Sequence, residues 1–332
     1  MLDHLALDFQ SFPIWLNALV ILVMVVIVGL GAHWVVESAA RLAKELGISE
    51  LIIGLTVVAF GTSAPEFAVT LIAAFKDQGD ISVGNIVGSN IFNLGFILGG
   101  CAVVRAIPTD RALLRRDGLV IGTSTILLLI LIGGDLRLGR LDGGILFVCL
   151  LAYLGYLYKS RHVVPGSEEE VARLTAEDRG KIAILPTGAL LVWGLACIIV
   201  ASHLLVDSAT AVAKAFGLSE WVIGVTIVAA GTSAPEFATS LTGVLRGRYG
   251  ISAGNVIGSD IFNLLGVLGL AGLLRPVNVD PMSRISLAAL SAMVFLVLIF
   301  MRTGWRLSRL EGLILIVIAV LRWTFDFMTH GG

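Results

Sequence analysis

The sequence predicts an all-α integral membrane protein of ten transmembrane helices, arranged as two inverted five-helix repeats. Three observations predict this fold: the composition, the series of apolar segments and an internal repeat. Of the 332 residues, 57% are hydrophobic and 14% are charged, whereas soluble domains average about 45–50% apolar and about 25% charged residues. A chain with so little charge cannot cover a water-facing surface. The net charge of −1, without a basic tract, also argues against a nucleic-acid-binding protein.

The apolar segments form two sets of five, each segment long enough to span a bilayer, which takes about 20 mostly apolar residues. They lie near 14–36, 51–75, 81–104, 117–134 and 141–158, and near 182–206, 221–245, 251–274, 285–301 and 310–328. A polar stretch with three consecutive glutamates and a Pro-Gly pair separates the sets. We therefore expect a first repeat at 1–160, a cytoplasmic linker at 161–181 and a second repeat at 182–332.

The distribution of basic residues predicts the orientation, because Lys and Arg accumulate on the cytoplasmic side of membrane proteins. With the N-terminus outside, 16 of the 23 Lys and Arg residues, including Arg115 and Arg116, fall at cytoplasmic ends of the predicted spans. We expect a multi-pass protein of the cell (inner or plasma) membrane with both termini extracytoplasmic.

Two motifs recur at an offset of 170 residues. The sequence GTSAPEFA occupies 61–68 and 231–238, and the pattern GNxxGS, followed by Asn or Asp and then IFNL, occupies 84–94 and 254–264. Between 47–94 and 217–264, 27 of 48 ungapped positions are identical. Because each half has an odd number of predicted spans, the second copy is inverted in the membrane. Inverted repeats are typical of secondary transporters, whose substrate sites lie at mid-membrane where the repeats meet.

Two glutamates at equivalent positions, Glu66 and Glu236, lie deep in apolar spans. A carboxylate there costs at least about 2.5 kcal/mol unless it is solvated or paired, and no Lys or Arg occurs in the middle of these spans. Two carboxylates brought together by the repeat would repel each other unless a positive charge lay between them. We infer that a cationic substrate supplies this charge. The alternative is a protonated, hydrogen-bonded structural pair.

Hydroxyl groups and a proline precede each glutamate: Thr62, Ser63 and Pro65 in the first repeat, and Thr232, Ser233 and Pro235 in the second. Proline removes a backbone donor, so we expect free carbonyl oxygens just upstream, near 59–62 and 229–232. Carbonyl, hydroxyl and carboxylate oxygens are the ligands that calcium, magnesium and sodium prefer. The absence of His and Cys here argues against zinc and copper.

A polar stripe follows one face of the third span and recurs in the eighth, at helical spacings of three and four residues. Its members are Ser82, Asn85, Ser89 and Asn93, and Ser252, Asn255, Ser259 and Asn263. We expect Ser89, Asn93, Ser259 and Asn263 to be cation ligands. Asn85 and Asn255 are either ligands or interhelical hydrogen-bonding groups.

Asp260 breaks the symmetry, because Asn90 holds the equivalent position. It points about 100° away from Ser259 around the helix, which leaves open a supporting contact or a relay for protons or cations. A second polar set lies at the far ends of the first and sixth spans and indicates an interfacial patch or, alternatively, a gate. Its members are His33, Glu37 and Lys44, and His203, Asp207 and Lys214.

The two motifs resemble the two alpha-repeats of the cation/calcium exchanger superfamily, in particular of its prokaryotic sodium/calcium exchangers. With the Gly-x-Ser-Glu segments at Gly47 and Gly217, the resemblance covers essentially all ten predicted spans. It implies that the first and sixth helices glide against an eight-helix core. It also implies a secondary antiporter rather than an enzyme, with calcium and sodium ions as substrates. The lipid bilayer is then its surroundings, and we expect no permanently bound cofactor and no obligatory protein partner.

The resemblance further implies a diamond of four ion sites. Calcium would be held by the carboxylates of Glu66 and Glu236 and the carbonyls of Thr62 and Thr232. Sodium would be held by Ser63, Ser233, Ser89, Ser259 and both glutamates, with the carbonyls of Ala59 and Ala229. Asn93 and Asn263 match the polar position near the central site. Three sodium ions for one calcium would move one net charge per cycle.

Asn263 departs from potassium-dependent exchangers and certain prokaryotic ones, which carry Asp there, and this argues against a potassium requirement. The chain also lacks the Asn-Ala-x-Glu motif of the proton-coupled branch. Three other functions stay open: exchange of calcium or another divalent cation against protons, a cation channel, and an intramembrane hydrolase built on Ser63 and Glu66. The hydrolase is the least favoured, because no His or Lys base occurs at a matching spacing.

Overall fold

The computed structural model describes residues 9–160, 184–217, 229–281 and 283–330. The predicted linker at 161–181 lies outside the described residues. The helices are α1 Ile14–Leu46, α2 Glu50–Thr62, α3 Ala64–Phe75, α4 Gly79–Val104, α5 Leu113–Asp135, α6 Arg140–Ser160, α7 Ile184–Ala215, α8 Ala229–Thr232, α9 Ala234–Leu245, α10 Tyr249–Leu274, α11 Ser283–Arg302 and α12 Arg309–His330. The strands are β1 Ile107–Pro108, β2 Arg137–Leu138, β3 Val277–Asn278 and β4 Arg306–Leu307.

The predicted all-helical membrane class is confirmed. Within the described residues, seven helices are long and apolar enough to cross a membrane, and α2 with α3 would make an eighth. The span predicted at 310–328 coincides with α12. The span predicted at 221–245 begins outside the described residues and continues through α8 and α9. The total of ten spans therefore stays a prediction.

Both GTSAPEF segments interrupt their helices, as the prolines predict. α2 and α3 meet at Ser63, where ψ is 8°, and are bent by 50°. α8 and α9 meet in the same way at Ser233, where ψ is 9°. Pro65 and Pro235 lie in the first turns of α3 and α9, where a missing amide donor costs least. The expectation of a free carbonyl oxygen is wrong for Ala59, because this oxygen accepts a hydrogen bond from the Ser63 amide at 3.1 Å.

Two antiparallel strand pairs join the two halves of the chain. β1, after α4, pairs with β4, after α11, so that Ile107 is opposite Leu307. β2, after α5, pairs with β3, after α10, so that Leu138 is opposite Val277. Because β1 is equivalent to β3 and β2 to β4 in the repeat, the same pairing occurs twice. These short strands were not predicted from the sequence.

Apolar side chains form two buried clusters. The smaller one joins α1 and α7 to each other and to parts of α2 and α10 through residues that include Val35, Val36, Ile53, Leu191 and Ile198. The larger one contains the inner faces of α4, α5, α6, α10 and α11, with contributions from α2, α3, α9 and α12. α1 and α7 are therefore packed chiefly against one another.

α10 approaches α2 to backbone contact at two glycines. A Cβ atom on Gly258 would lie 2.7 Å from the Leu55 Cα and carbonyl oxygen, and one on Gly254 would lie 2.7 Å from the Leu51 oxygen. Gly254 and Gly258 thus allow close helix packing, whereas at their equivalents Gly84 and Gly88 in α4 a Cβ would meet no described atom within 4 Å. The contact at Gly258 brings the neighbouring Ser259 against the bend of the first repeat.

Candidate ion-binding site

The two glutamates lie in the first turns of α3 and α9, directly after the bends. Ser63 Oγ donates to Glu236 Oε1 at 3.1 Å, and Ser233 Oγ donates to Glu66 Oε1 at 3.2 Å. Each serine thus bonds the glutamate of the opposite repeat. Both glutamates are 0% exposed, so the two bends meet inside the protein.

α4 and α10 add hydroxyl groups to the same place. Ser89 Oγ donates to Glu66 Oε1 at 3.0 Å and lies 2.8 Å from the Ser233 Oγ. Thr62 Oγ1 lies 3.4 Å from Ser259 Oγ. Ser89 and Ser259, the two serines expected to be cation ligands, are therefore in contact with the bends, one from each repeat.

The four residues with expected carbonyl ligands lie in the turns just before the bends. Thr62 and Ala59 belong to the last turn of α2, and Thr232 and Ala229 form the ends of α8. The Ala59 carbonyl accepts the Thr62 hydroxyl at 3.3 Å and the Ser259 hydroxyl at 3.5 Å. Thr232 is half-buried, and the side chain of Ala229 lies outside the described part.

Asn85 and Asn255 hold the backbone of the glutamates. Asn85 Nδ2 donates to the Glu66 carbonyl at 3.3 Å and to the hydroxyl four residues further along α3 at 3.0 Å. Asn255 Nδ2 makes the same two bonds in the second repeat, at 3.2 Å to the Glu236 carbonyl and at 2.9 Å to the hydroxyl. These bonds favour the interhelical role over the ligand role.

Four polar side chains form a second layer across the α4–α10 contact. Asn93 Nδ2 donates to Asp260 Oδ1 at 2.9 Å, Asn263 Nδ2 donates to Asn90 Oδ1 at 3.0 Å, and Asn90 Nδ2 donates to the Asp260 carbonyl at 3.1 Å. All four are 0% exposed. Widened π-helical turns begin at Asn93 in α4 and one residue before Asn263 in α10; such turns are frequent at functional sites.

Five buried acceptor oxygens of this cluster have no hydrogen-bond partner in the described part of the chain: Glu66 Oε2, Glu236 Oε2, Asn93 Oδ1, Asn263 Oδ1 and Asp260 Oδ2. An unpartnered buried polar group costs about 1–3 kcal/mol, which contact with a cation would recover. Among the described residues, no three His, Cys, Asp or Glu side chains are placed to hold a metal ion by themselves. Hydroxyl, amide and carbonyl oxygens would therefore complete the coordination, as hard cations allow.

A buried ion pair in α5 was missed by the sequence analysis. Arg116 Nε lies 2.7 Å from Asp117 Oδ1, and the Tyr153 hydroxyl donates to the same oxygen at 2.9 Å. Arg116 was counted among the basic residues at cytoplasmic ends of the spans; it lies within α5, and its side chain is only 9% exposed. The signal was the Arg-Asp pair itself, because adjacent opposite charges at the edge of an apolar span can satisfy each other.

The second polar set is only partly exposed: His203 is at the surface, whereas His33 is half-buried and its Nδ1 has no partner in the described residues. His203 Nε2 is 3.6 Å from Asp207 Oδ2 within α7, and the histidine side chain is 78% exposed. Glu37 of α1 pairs with Arg246 at 3.3 Å. These contacts favour the interfacial patch over the gate.

Known proteins resemble this chain over nearly its whole length. The family model described as sodium/calcium exchanger protein matches residues 16–159 and 187–327. The putative antiporter CaxA of Alkalimonas amylolytica is 36% identical over 311 residues, covering 90% of this chain and 94% of CaxA. The sodium/calcium exchanger MaX1 of Methanosarcina acetivorans is 31% identical over 343 residues, covering 92% of this chain and 97% of MaX1.

A solved structure of the sodium-calcium exchanger NCX_Mj superposes with a TM-score of 0.80 at 29% identity, covering 93% of this chain and 98% of that one. The residues matched by the family model include both glutamates, one in each repeat. The superposition shows that this chain and NCX_Mj share the same fold. The chain therefore belongs to the sodium/calcium exchanger protein family, as a prokaryotic-type member of the cation/calcium exchangers.

Proposed function

We propose that this protein exchanges sodium for calcium across the cell membrane, by alternating access to one mid-membrane site. The observation that carries the proposal is the reciprocal bonding of Ser63 to Glu236 and of Ser233 to Glu66. It joins the repeats at their buried carboxylates, each of which keeps one oxygen without a partner in the described part. A bound calcium ion would neutralise both carboxylates at once. The similarity to MaX1, a sodium/calcium exchanger, supports sodium and calcium as the two exchanged ions.

Calcium and sodium share ligands in this proposal, and the sharing is what couples their movements. Calcium takes both glutamates with the carbonyls of Thr62 and Thr232. Sodium takes the same glutamates with the hydroxyls and carbonyls around them: Ser63, Ser233, Ser89, Ser259, Ala59 and Ala229. Asn93 and Asn263 face the centre. Because both ions need the same carboxylates, occupancy by one excludes the other.

The charges of the two occupied states support an electrogenic exchange of three sodium ions for one calcium. Two glutamates sum to zero with one calcium ion and to +1 with three sodium ions. A constant charge on Asp260 would add equally to both states and leave the difference at one charge. Each cycle would therefore move one net charge through the membrane.

The strand pairs support the inverted arrangement that alternating access requires. β1 and β2 lie at the two ends of α5 and so at opposite faces of the membrane if α5 crosses it. Since β3 pairs with β2, the end of α10 lies opposite the end of its equivalent, α4. With the bias of the basic residues, this supports a cytoplasmic β1–β4 pair and termini outside the cytoplasm.

Proton/calcium exchange is the second candidate, and the observation that favours it is the set of three buried carboxyl groups, Glu66, Glu236 and Asp260. In the described part, no basic side chain contacts them, so protons could neutralise them. A channel is disfavoured because two carboxylates bind a divalent ion firmly, whereas conduction needs rapid release. A hydrolase is disfavoured because the family is one of exchangers and the Ser63 hydroxyl already donates to Glu236.

Counter-ion substitution in proteoliposomes tests the proposal. Calcium uptake should follow an opposing sodium gradient, should stop when potassium or choline replaces sodium, and should respond to an imposed membrane potential. Uptake that ignores sodium but follows a pH gradient would favour the proton exchanger. Flux that needs no counter-ion would favour the channel.

A further inference from the structure

An asparagine side chain can coordinate a cation only when its oxygen, not its NH₂ group, faces the ion. The two ends of the amide have nearly the same shape, so the surroundings must select the orientation. Asn93 and Asn263 both have an unpartnered Oδ1 within the described part and both donate Nδ2 to the opposite repeat. Two hydrogen-bond chains account for this selection.

The first chain has one step. Asn93 Nδ2 donates to Asp260 Oδ1 at 2.9 Å. While Asp260 is ionised, its carboxylate accepts hydrogen bonds but cannot donate them. If the Asn93 amide were reversed, its oxygen would face the carboxylate oxygen and the two acceptors would repel each other. Asp260 therefore keeps the Asn93 oxygen on the side of the amide that points away from Asp260.

The second chain has two steps. Asn90 Nδ2 donates to the Asp260 backbone carbonyl at 3.1 Å, and a carbonyl also only accepts. Asn90 is thereby held with its oxygen towards Asn263, whose Nδ2 it accepts at 3.0 Å. The Asn263 oxygen is left free.

We propose that the equivalent residues Asp260 and Asn90 are positioning residues that turn the oxygens of Asn93 and Asn263 towards the transported cation, each acting across the repeat boundary. The inference rests on the proposed function and adds two residues that need not touch the ion.

Equilibrium calcium binding to the purified protein in sodium-free buffer tests the role of Asp260. In Asp260→Asn, the new amide can present its NH₂ group, and Asn93 then reverses. We expect about tenfold weaker calcium binding, the size of losing one charge-assisted hydrogen bond. Asp135→Asn is the matched control: Asp135 is exposed, accepts the Arg137 amide at 3.1 Å, and its variant should bind calcium as the wild type does.

Two double variants with the wild-type charge separate positioning from simple charge loss. In Asn93→Asp with Asp260→Asn, every side-chain oxygen at 93 is an acceptor and the amide at 260 can donate to it, so we expect affinity close to that of the wild type. In Asn90→Asp with Asp260→Asn, the orientation of the Asn93 amide is still not fixed. We therefore expect calcium affinity to recover less than in the first double variant. Equal recovery in both would overturn the inference.

Unchanged calcium affinity in Asp260→Asn would overturn the inference and leave the proposed function intact. A wild-type protein that binds neither calcium nor sodium would overturn both. If Asp260→Asn is not recovered folded, Asn90→Leu offers the second measurement. It removes the acceptor for Asn263 without a change of charge, and calcium binding equal to that of the wild type would again overturn the inference.

Discussion

At the scale of single residues, the site contains carboxylate oxygens that already accept hydrogen bonds and others that have no hydrogen-bond partner in the described residues. One oxygen of each glutamate accepts a serine from the opposite repeat, whereas the other has no partner in the described residues. The used oxygens hold the carboxylates in place before an ion arrives, so little ordering is left to do on binding. The free oxygens are the groups that gain from the ion.

Replacing either glutamate with glutamine tests this division. Glu66→Gln and Glu236→Gln each remove one of the two charges facing the ion, and loss of an interaction with a charged group is worth up to roughly 3 kcal/mol, about a hundredfold in affinity. We expect calcium binding to weaken by about that factor and transport to stop while the protein stays folded. Glu311→Gln, at the start of α12, is the control. Normal transport by both variants would refute the assignment of Glu66 and Glu236 as ligands of the transported ion.

The glutamates and their serines could be predicted because the repeat places identical motifs at a two-fold relation. The orienting role of Asp260 could not, because it depends on which atom of Asn93 faces it across the α4–α10 contact. Spacing along the chain gives the face of a helix but not the orientation of an amide. For the same reason the bond from Asn263 to Asn90 is visible only in the structure.

At the scale of secondary structure, the position of the site depends on how closely α10 lies against α2. Gly258 makes this approach possible, and the next residue is Ser259, 3.4 Å from Thr62. The bends at Ser63 and Ser233 were predictable from proline. The π-helical turns and the two-residue strands were not, because they arise from packing and pairing between distant segments rather than from local sequence.

Gly258→Ala tests the close approach of the helices. The added Cβ would lie 2.7 Å from two Leu55 backbone atoms, and overpacking of this kind costs about 1–3 kcal/mol. We expect a lower thermal unfolding midpoint in detergent and weaker calcium binding. Gly29→Ala in α1 is the matched control, because its Cβ would meet no described atom within 4 Å. Equal effects of the two substitutions would show that neither stability nor calcium binding depends specifically on the close α2–α10 contact.

At the scale of the whole molecule, the two halves are joined by symmetric strand pairs and by the meeting of two bends. The pairing of β1 with β4 and of β2 with β3 is what a two-fold axis in the membrane plane would produce. Alternating access needs such an arrangement, since each repeat then faces one side of the membrane.

Arg137→Cys and Arg306→Cys test the inversion directly, because both residues are exposed and begin the equivalent strands β2 and β4. In a background without the three natural cysteines, a membrane-impermeant maleimide added to intact cells should label position 137. It should label position 306 only after permeabilisation. Labelling of both positions from the same side would contradict the inverted repeat.

We propose above all that sodium and calcium compete for one pair of carboxylates. Calcium bound to the purified wild-type protein should be displaced cooperatively by sodium chloride, and not by choline chloride at the same ionic strength. Calcium that stays bound at saturating sodium, or that both salts displace equally, would contradict the account.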